Sequence, residues 1–202
     1  MNIDNFELIK SLLNFKSEDD FYHLQILKRK KENPELGSNS YVVKTYYITS
    51  VEYLDKKHNE IINLCQLNNA RAYINLNPRS FEKMAFHTLK KITDQIMNRD
   101  YKSVRKAYES VAGTYGTGRD KTFLIDIDYI DFKDNLFRID VIHARIEELQ
   151  TAAGHEPLMN VIPTKNGYHL ITRPFNIKLL EPLMLSGPSF DIHKDNPTIL
   201  YL

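Results

Sequence analysis

One cysteine, no tryptophan, few glycines and almost no net charge mark what this 202-residue chain lacks. With Cys65 alone, neither an intrachain disulfide framework nor a cysteine-rich zinc site can form. Cys65 itself lies in the apolar run Ile61-Ile62-Asn63-Leu64-Cys65 and reads as a buried small hydrophobe. A formal net charge of +1 excludes the global basic field of small non-specific DNA binders, so any nucleic-acid contact must come from a local patch. No apolar run approaches the length of a membrane span, and the N-terminus lacks the basic start and apolar block of a signal peptide. The expectation is therefore a cytoplasmic protein with no membrane partner. Length and apolar content suffice for one large domain or two closely packed lobes.

What is present reads as a mixed α/β chain. Residues 3–15 carry Phe6, Ile9, Leu12 and Leu13 on one side of a short amphipathic helix. From Gln25 to Ser38 runs a charged stretch, Lys28-Arg29-Lys30-Lys31 followed by Asn33-Pro34 and Gly37, which reads as a solvated helix face or loop or as a phosphate-contact patch. A strand is expected over 41–49, a helix over 51–68, and an alternating strand over 70–77 with Arg71, Tyr73, Asn75 and Asn77 on one face. Ser80 then caps a long helix whose apolar stripe is Phe81, Ala85, Leu89, Ile92 and Ile96. Helical character resumes near 101–112. The connector Gly113-Thr-Tyr-Gly-Thr-Gly118 separates an N-terminal α/β module, 1–112, from a second lobe, 119–202. It is no phosphate loop, because the closing Gly-Lys-Ser/Thr is missing and a strand follows. In the second lobe Leu136, Ile139, Ile142, Ile146 and Leu149 mark a helix closed by Gly154, and short strands are expected near 158–163, 167–173, 187–192 and 198–202. The turn Lys165-Asn166-Gly167 joins the first two of these as a hairpin.

Three short segments of the second lobe carry chemistry. In Phe123-Leu-Ile-Asp-Ile-Asp128, strand alternation sends Leu124, Asp126 and Asp128 one way and Phe123, Ile125 and Ile127 the other. Two carboxylates that close destabilise each other unless a cation compensates, so a divalent metal is their natural partner. In Thr164-Lys-Asn-Gly-Tyr-His169, Gly167, His169 and Ile171 share a strand face just after a tight turn. Phe190-Asp191-Ile192-His193 again sets an acid in an apolar strand, with Asp195 a competitor for the same role. Buried strands carrying polar residues have a desolvation cost that metal coordination or phosphate binding would offset.

In that order, DxD, then a polar turn and glycine before a histidine, then hydrophobic-Asp, the chain resembles the archaeo-eukaryotic primase superfamily, which includes primase catalytic subunits and the primase-polymerases of plasmids and phages. The resemblance spans about residues 40–202, although only the three motifs are specific. It implies an N-terminal α/β module packed on an RRM-like, ferredoxin-like lobe with a mixed or antiparallel sheet. It also implies Asp126, Asp128 and Asp191 as ligands of two Mg²⁺ or Mn²⁺ ions, His169 as the contact to an incoming nucleotide, and Thr164, Lys165 and Asn166 in place of a serine-containing turn. The second motif reads Thr-Lys-Asn-Gly-Tyr-His where the family commonly has Ser-Gly-x-Gly-x-His. Implied partners are a single-stranded DNA template, nucleoside triphosphates, and a helicase or other replication protein.

The implied activity is template-dependent primer synthesis or extension by a nucleotidyltransferase, with two metals aligning a hydroxyl on the α-phosphorus. Two alternatives stay open: a metal-dependent nuclease on the same kind of lobe, and an inactive primase-like module that binds nucleic acid. Arg79, where a strand ends and a helix begins, is a candidate nucleotide or template contact or else a surface ion-pair partner. His193 could approach the metals or stay in solvent, Lys194 and Asn196 could touch phosphate or form an ordinary turn, and His87, His143 and His155 show no ligand spacing.

Overall fold

Side-chain oxygens set the starts of the two long helices of the first half. Ser50 accepts from Tyr53 N at the start of α2, Val51–Asn68, and Ser80 accepts from Lys83 N at the start of α3, Phe81–Met97. Asn69 ends α2 in the left-handed conformation at φ 46°, which its short polar side chain tolerates. The computed structural model describes residues 3–114, 116, 118, 121–128, 137–180 and 190–202. Expectations at Leu136 and at 187–189 lie outside the described residues. The chain is α/β, with helices packed on antiparallel sheets.

The first sheet is built on a strand that the charged run disguises. β1, Asp20–Arg29, lies between β2, Ser40–Ile48, and β3, Arg71–Asn75, antiparallel to both. The loop or helix face expected around Lys28 is thus the end of a central strand; only Lys30 and Lys31 fall in the turn beyond it. A two-residue strand β4, Arg79–Ser80, pairs with the start of β1. The last strand, β9, Pro197–Tyr201, leaves the second lobe to pair with β3, giving the order β2-β1-β3-β9.

One face of this sheet, with Leu24, Ile26, Tyr46, Ile48, Ala72 and Ile74, packs on α1, Phe6–Leu12, and on Leu54, Ile61 and Cys65 of α2. Cys65 is buried as expected, and burial pushes its thiol up to about 12. Among the described residues, the Phe21 end of the opposite face is covered by Met84 of α3 and by Val111 and Ala112 of α4, Ala107–Ala112. The orientation of α3 departs from expectation. Leu89 and Ile96 are 64% and 50% exposed, because the helix rests on its Met84 side and donates from Lys91 Nζ to Ser110 Oγ of α4.

The second sheet comprises β5, Phe123–Asp128, β6, Met159–Pro163, β7, Gly167–Thr172, and β8, Asp191–His193, in the antiparallel order β6-β7-β5-β8. Phe123, Ile125, Ile127, Tyr168 and Leu170 pack on Ile142, Ile146 and Leu149 of α5, Phe137–Ala152. Each fully buried isoleucine stabilises by about 2 kcal/mol, so this face fixes which way β5 lies. Leu124, Ile162 and Ile171 on the other face join the core of the first sheet, which seats the two sheets against each other. No described helix is long and apolar enough to cross a membrane.

The hairpin between β6 and β7 forms as expected but with different central residues. Pro163 pairs with Tyr168 and Thr164 N donates to Gly167 O, so Lys165 and Asn166 occupy the turn. Gly167 is needed for proximity rather than for turn geometry: a Cβ there would stand 1.9 Å from Ile127 O. Gly167→Ala is therefore expected to cost about 3 kcal/mol in urea unfolding through forced separation of β5 and β7. A loss below about 1 kcal/mol would contradict this close approach.

Candidate functional site

The pleat of β5 does what its sequence pattern requires. Asp126 is the register partner of His169 on one side and of Asp191 on the other, and Asp128 is the partner of Gly167. Directly paired residues share a face, so all three acids and His169 lie on the side of the sheet away from α5. That side forms one wall of a cleft of about 400 Å³, lined by Asp126, Asp128, Thr164, Lys165, Asn166, His169 and His193. The volume suits a nucleotide-sized ligand.

The facing wall comes from the uncovered end of the first sheet. Leu27, Arg29, Arg71, Tyr73 and Ile199 complete the cleft. Arg29 Nη1 donates to Tyr73 Oη at 3.2 Å, and Arg71 is held by the Glu32 carboxylate. An acidic wall therefore confronts a wall bearing two guanidinium groups. Arg71 and Tyr73 were legible as one face of an alternating strand, though nothing local gave that face a partner. Arg29 was hidden in the basic run.

Within the acidic wall, burial holds the Asp126 carboxyl above its ordinary value; His193 opposes that rise and the Asp191 charge adds to it. Burial, reinforced by His193 and opposed by Asp128, pushes the His169 imidazole down to about 4. His169 is thus neutral at pH 7. Its Nε2 lies 3.6 Å from Asp126 Oδ1, too long for a hydrogen bond and uncharged, so no ion pair forms there. Its Nδ1 is 2.8 Å from Thr198 Oγ1 of β9, a contact that fixes the ring plane. Thr164 Oγ1 accepts from Gly167 N at 3.2 Å and stiffens the turn that carries Lys165 and Asn166.

Two expected site residues are placed otherwise. Asp191 shares the sheet face with Asp126 but its side chain is exposed and does not line the cleft. Arg79 is neither a nucleotide contact nor a surface ion pair: it is 0% exposed, donating from Nε to Ala112 O and from Nη1 to Asn77 O. Asp195 stands 3.0 Å from its Nη2, which spends that acid on structure rather than on the third motif. Asn77 adds donations to Thr122 O, Lys194 O and Asp195 Oδ1. Asn196 lines the cleft, whereas Lys194 does not. His143 is tied to Tyr168 Oη at 2.9 Å, and His155 is exposed.

As a donor set, Asp126 and Asp128 supply the hard carboxylate oxygens that Mg²⁺ or Mn²⁺ prefers, and the raised Asp126 carboxyl is the strain a cation would relieve. Asp191 is the third donor within one strand's reach. Among the described residues no three His, Cys, Asp or Glu side chains already converge as a metal cage. Comparison with known proteins adds no assignment: no family model, no curated protein and no solved structure matches the chain.

Two outcomes follow. Arg79→Met, which strands Asp195 and two carbonyls, is expected to cost about 3–5 kcal/mol in chemical unfolding; a loss under about 1 kcal/mol would contradict the buried knot. Acidification should also weaken the fold. The folded His169 value lies below the ordinary 6.5, so the unfolded chain binds more protons as pH falls from 6.5 to about 4, and stability drops across that window. The His169 share is at most about 3 kcal/mol, with lowered His23 and His143 acting in the same sense. His169→Gln should flatten the stability–pH curve between those limits, and an unchanged slope would contradict the assignment.

Proposed function

We propose that the chain is a template-dependent nucleotidyltransferase of the primase-polymerase type, adding nucleotides from nucleoside triphosphates to a strand on single-stranded DNA. The observation that carries this reading is the juxtaposition of Asp126 and Asp128 with neutral His169 and the Thr164–Gly167 turn in one cleft, opposite Arg29 and Arg71. The strand order β6-β7-β5-β8, with α5 between β5 and β6, supports an RRM-like lobe as well. A helicase or other replication protein and a cytoplasmic setting are the natural context for such an enzyme.

The cleft divides the work between its walls. Asp126 and Asp128, with Asp191 beside them, would hold Mg²⁺ or Mn²⁺, and that cation would supply charge neutralisation and a lower pKa for the attacking hydroxyl. His169, neutral and oriented by Thr198, offers Nε2 to a phosphate oxygen without adding charge. Lys165 at the turn adds an ammonium to the cleft lining. Across the cleft Arg29 and Arg71, each already held by a partner, present planar forks suited to phosphate oxygens or to the face of a base. No side chain need act as a nucleophile.

A second reading, a nucleotide-binding module without turnover, is favoured by one observation: Asp191, on the same sheet face as Asp126, is exposed and is not among the residues that line the cleft. The two part company in a single assay of single-stranded DNA, labelled nucleotides and Mg²⁺ or Mn²⁺. Wild type should give template-dependent products, and Asp126→Asn or Asp128→Asn should give none while melting at the wild-type temperature. Products from both variants would sink the assignment. Triphosphate bound without product would select the binding module, and strand cleavage without triphosphate a nuclease.

A further inference from the structure

The cleft uses only one of the four consecutive cations Lys28-Arg29-Lys30-Lys31. We infer that the end of the β1–β2 hairpin is a docking surface for a single nucleic-acid strand leaving the cleft; the inference rests on the proposed function and gives its template a path.

The hairpin end is continuous with the cleft. Arg29, Asn39 and Ser40 line the cleft, and Arg29 pairs in register with Ser40. One residue further on, Lys30 N donates to Asn39 O, and Lys30 and Lys31 stand exposed at the tip. A strand passing Arg29 meets these ammonium groups next. None of Lys28, Lys30 and Lys31 has an ion-pair partner among the described residues, and the nearest carboxylate in sequence, Glu32, is engaged by Arg71. Counting Glu35 in the same turn as well as Glu32, the segment 28–39 still carries net positive charge, on a chain whose net charge is only +1.

The tip is held rigid. Asn33 N and Nδ2 both donate to Arg29 O, Asn33 Nδ2 also donates to Asn69 O at 3.0 Å, and Asn69 Nδ2 donates to Glu32 O at 3.0 Å. The turn is thereby anchored to the end of α2, so binding would order little backbone.

An aromatic face accompanies the charge. Tyr41 is the register partner of Lys28, so the two share the hairpin face opposite Arg29, reached round the edge strand β2, and Tyr41 is 58% exposed. Consecutive cations that wrap the hairpin end, with an exposed aromatic ring beyond them, are what a single strand crossing the edge recognises, the first through phosphates and the second through base stacking. The apolar content, Tyr41 and Val42, is too small to anchor a membrane surface.

The test is fluorescence anisotropy of labelled oligothymidylate with the full chain over a KCl series. Lys28→Ala/Lys30→Ala/Lys31→Ala should weaken binding at least about tenfold near 100 mM salt and lower the slope of log K against log salt by about 2. Tyr41→Ala should weaken binding about tenfold and leave the slope unchanged. Lys30→Glu alone, at an exposed tip position, should shift both in the direction of the triple variant. Wild-type affinity and slope in the triple variant, or equal capture by anionic vesicles lost on the same substitutions, would overturn the inference. Hairpin-dependent binding by a chain that makes no product would overturn the primase reading and leave this surface standing. Product formation with hairpin-independent binding would do the reverse.

Discussion

The approach of β7 to β5 at Gly167 is the constraint on which the site depends. Ile127 O occupies the space a side chain would need, so the two strands can close only where residue 167 has no Cβ. That closure sets the register, and the register sets the chemistry: Asp128 opposite Gly167, Asp126 opposite His169. A one-residue slip would turn the acids into the α5 face, where Phe123, Ile125 and Ile127 are now buried. The same glycine that permits the strand pairing thus sends the carboxylates into the cleft.

The facing wall is positioned by a different device. Asn77, Arg79 and Asp195 form a buried polar knot that ties the exit of β3 to Thr122 before β5, to Ala112 at the end of α4 and to the turn between β8 and β9. β9 then returns to pair with β3, and Thr198 on it reaches His169. The two sheets are therefore joined by polar contacts at the knot and by apolar contacts through Leu124, Ile162 and Ile171. Between these fastenings the cleft stays open, with like charges concentrated on each wall and opposite charges across it.

The acidic wall was legible in the sequence because Asp126 and Asp128 alternate with Ile125 and Ile127 in β5 and α5 carries a matching apolar stripe. The turn and His169 were legible because the tight connection is short and local. The basic wall was not, since β1 is buried on both faces near its start and ends in Lys28 and Arg29 with Lys30 and Lys31 directly after, which erases the period-two signal. Arg79 misled for a related reason. A cation at a strand–helix junction looks like an anion site, and its actual partner, Asp195, lies more than a hundred residues away. The outward stripe of α3 shows a further limit: amphipathic spacing identifies an apolar side but not whether the protein covers it. β9 could be assigned to the first sheet only by its long-range pairing with β3.

The central claim is that Asp126 and Asp128 hold a divalent ion against a triphosphate lying between the Thr164–Gly167 turn and the Arg29/Arg71 wall. A crystal structure with Mn²⁺ and a non-incorporable nucleoside triphosphate analogue, read in the anomalous difference map, tests it most directly. The account predicts manganese between the two carboxylates, with the phosphates within reach of His169 and Lys165. Manganese absent from these carboxylates, or a triphosphate bound outside the cleft, would contradict it.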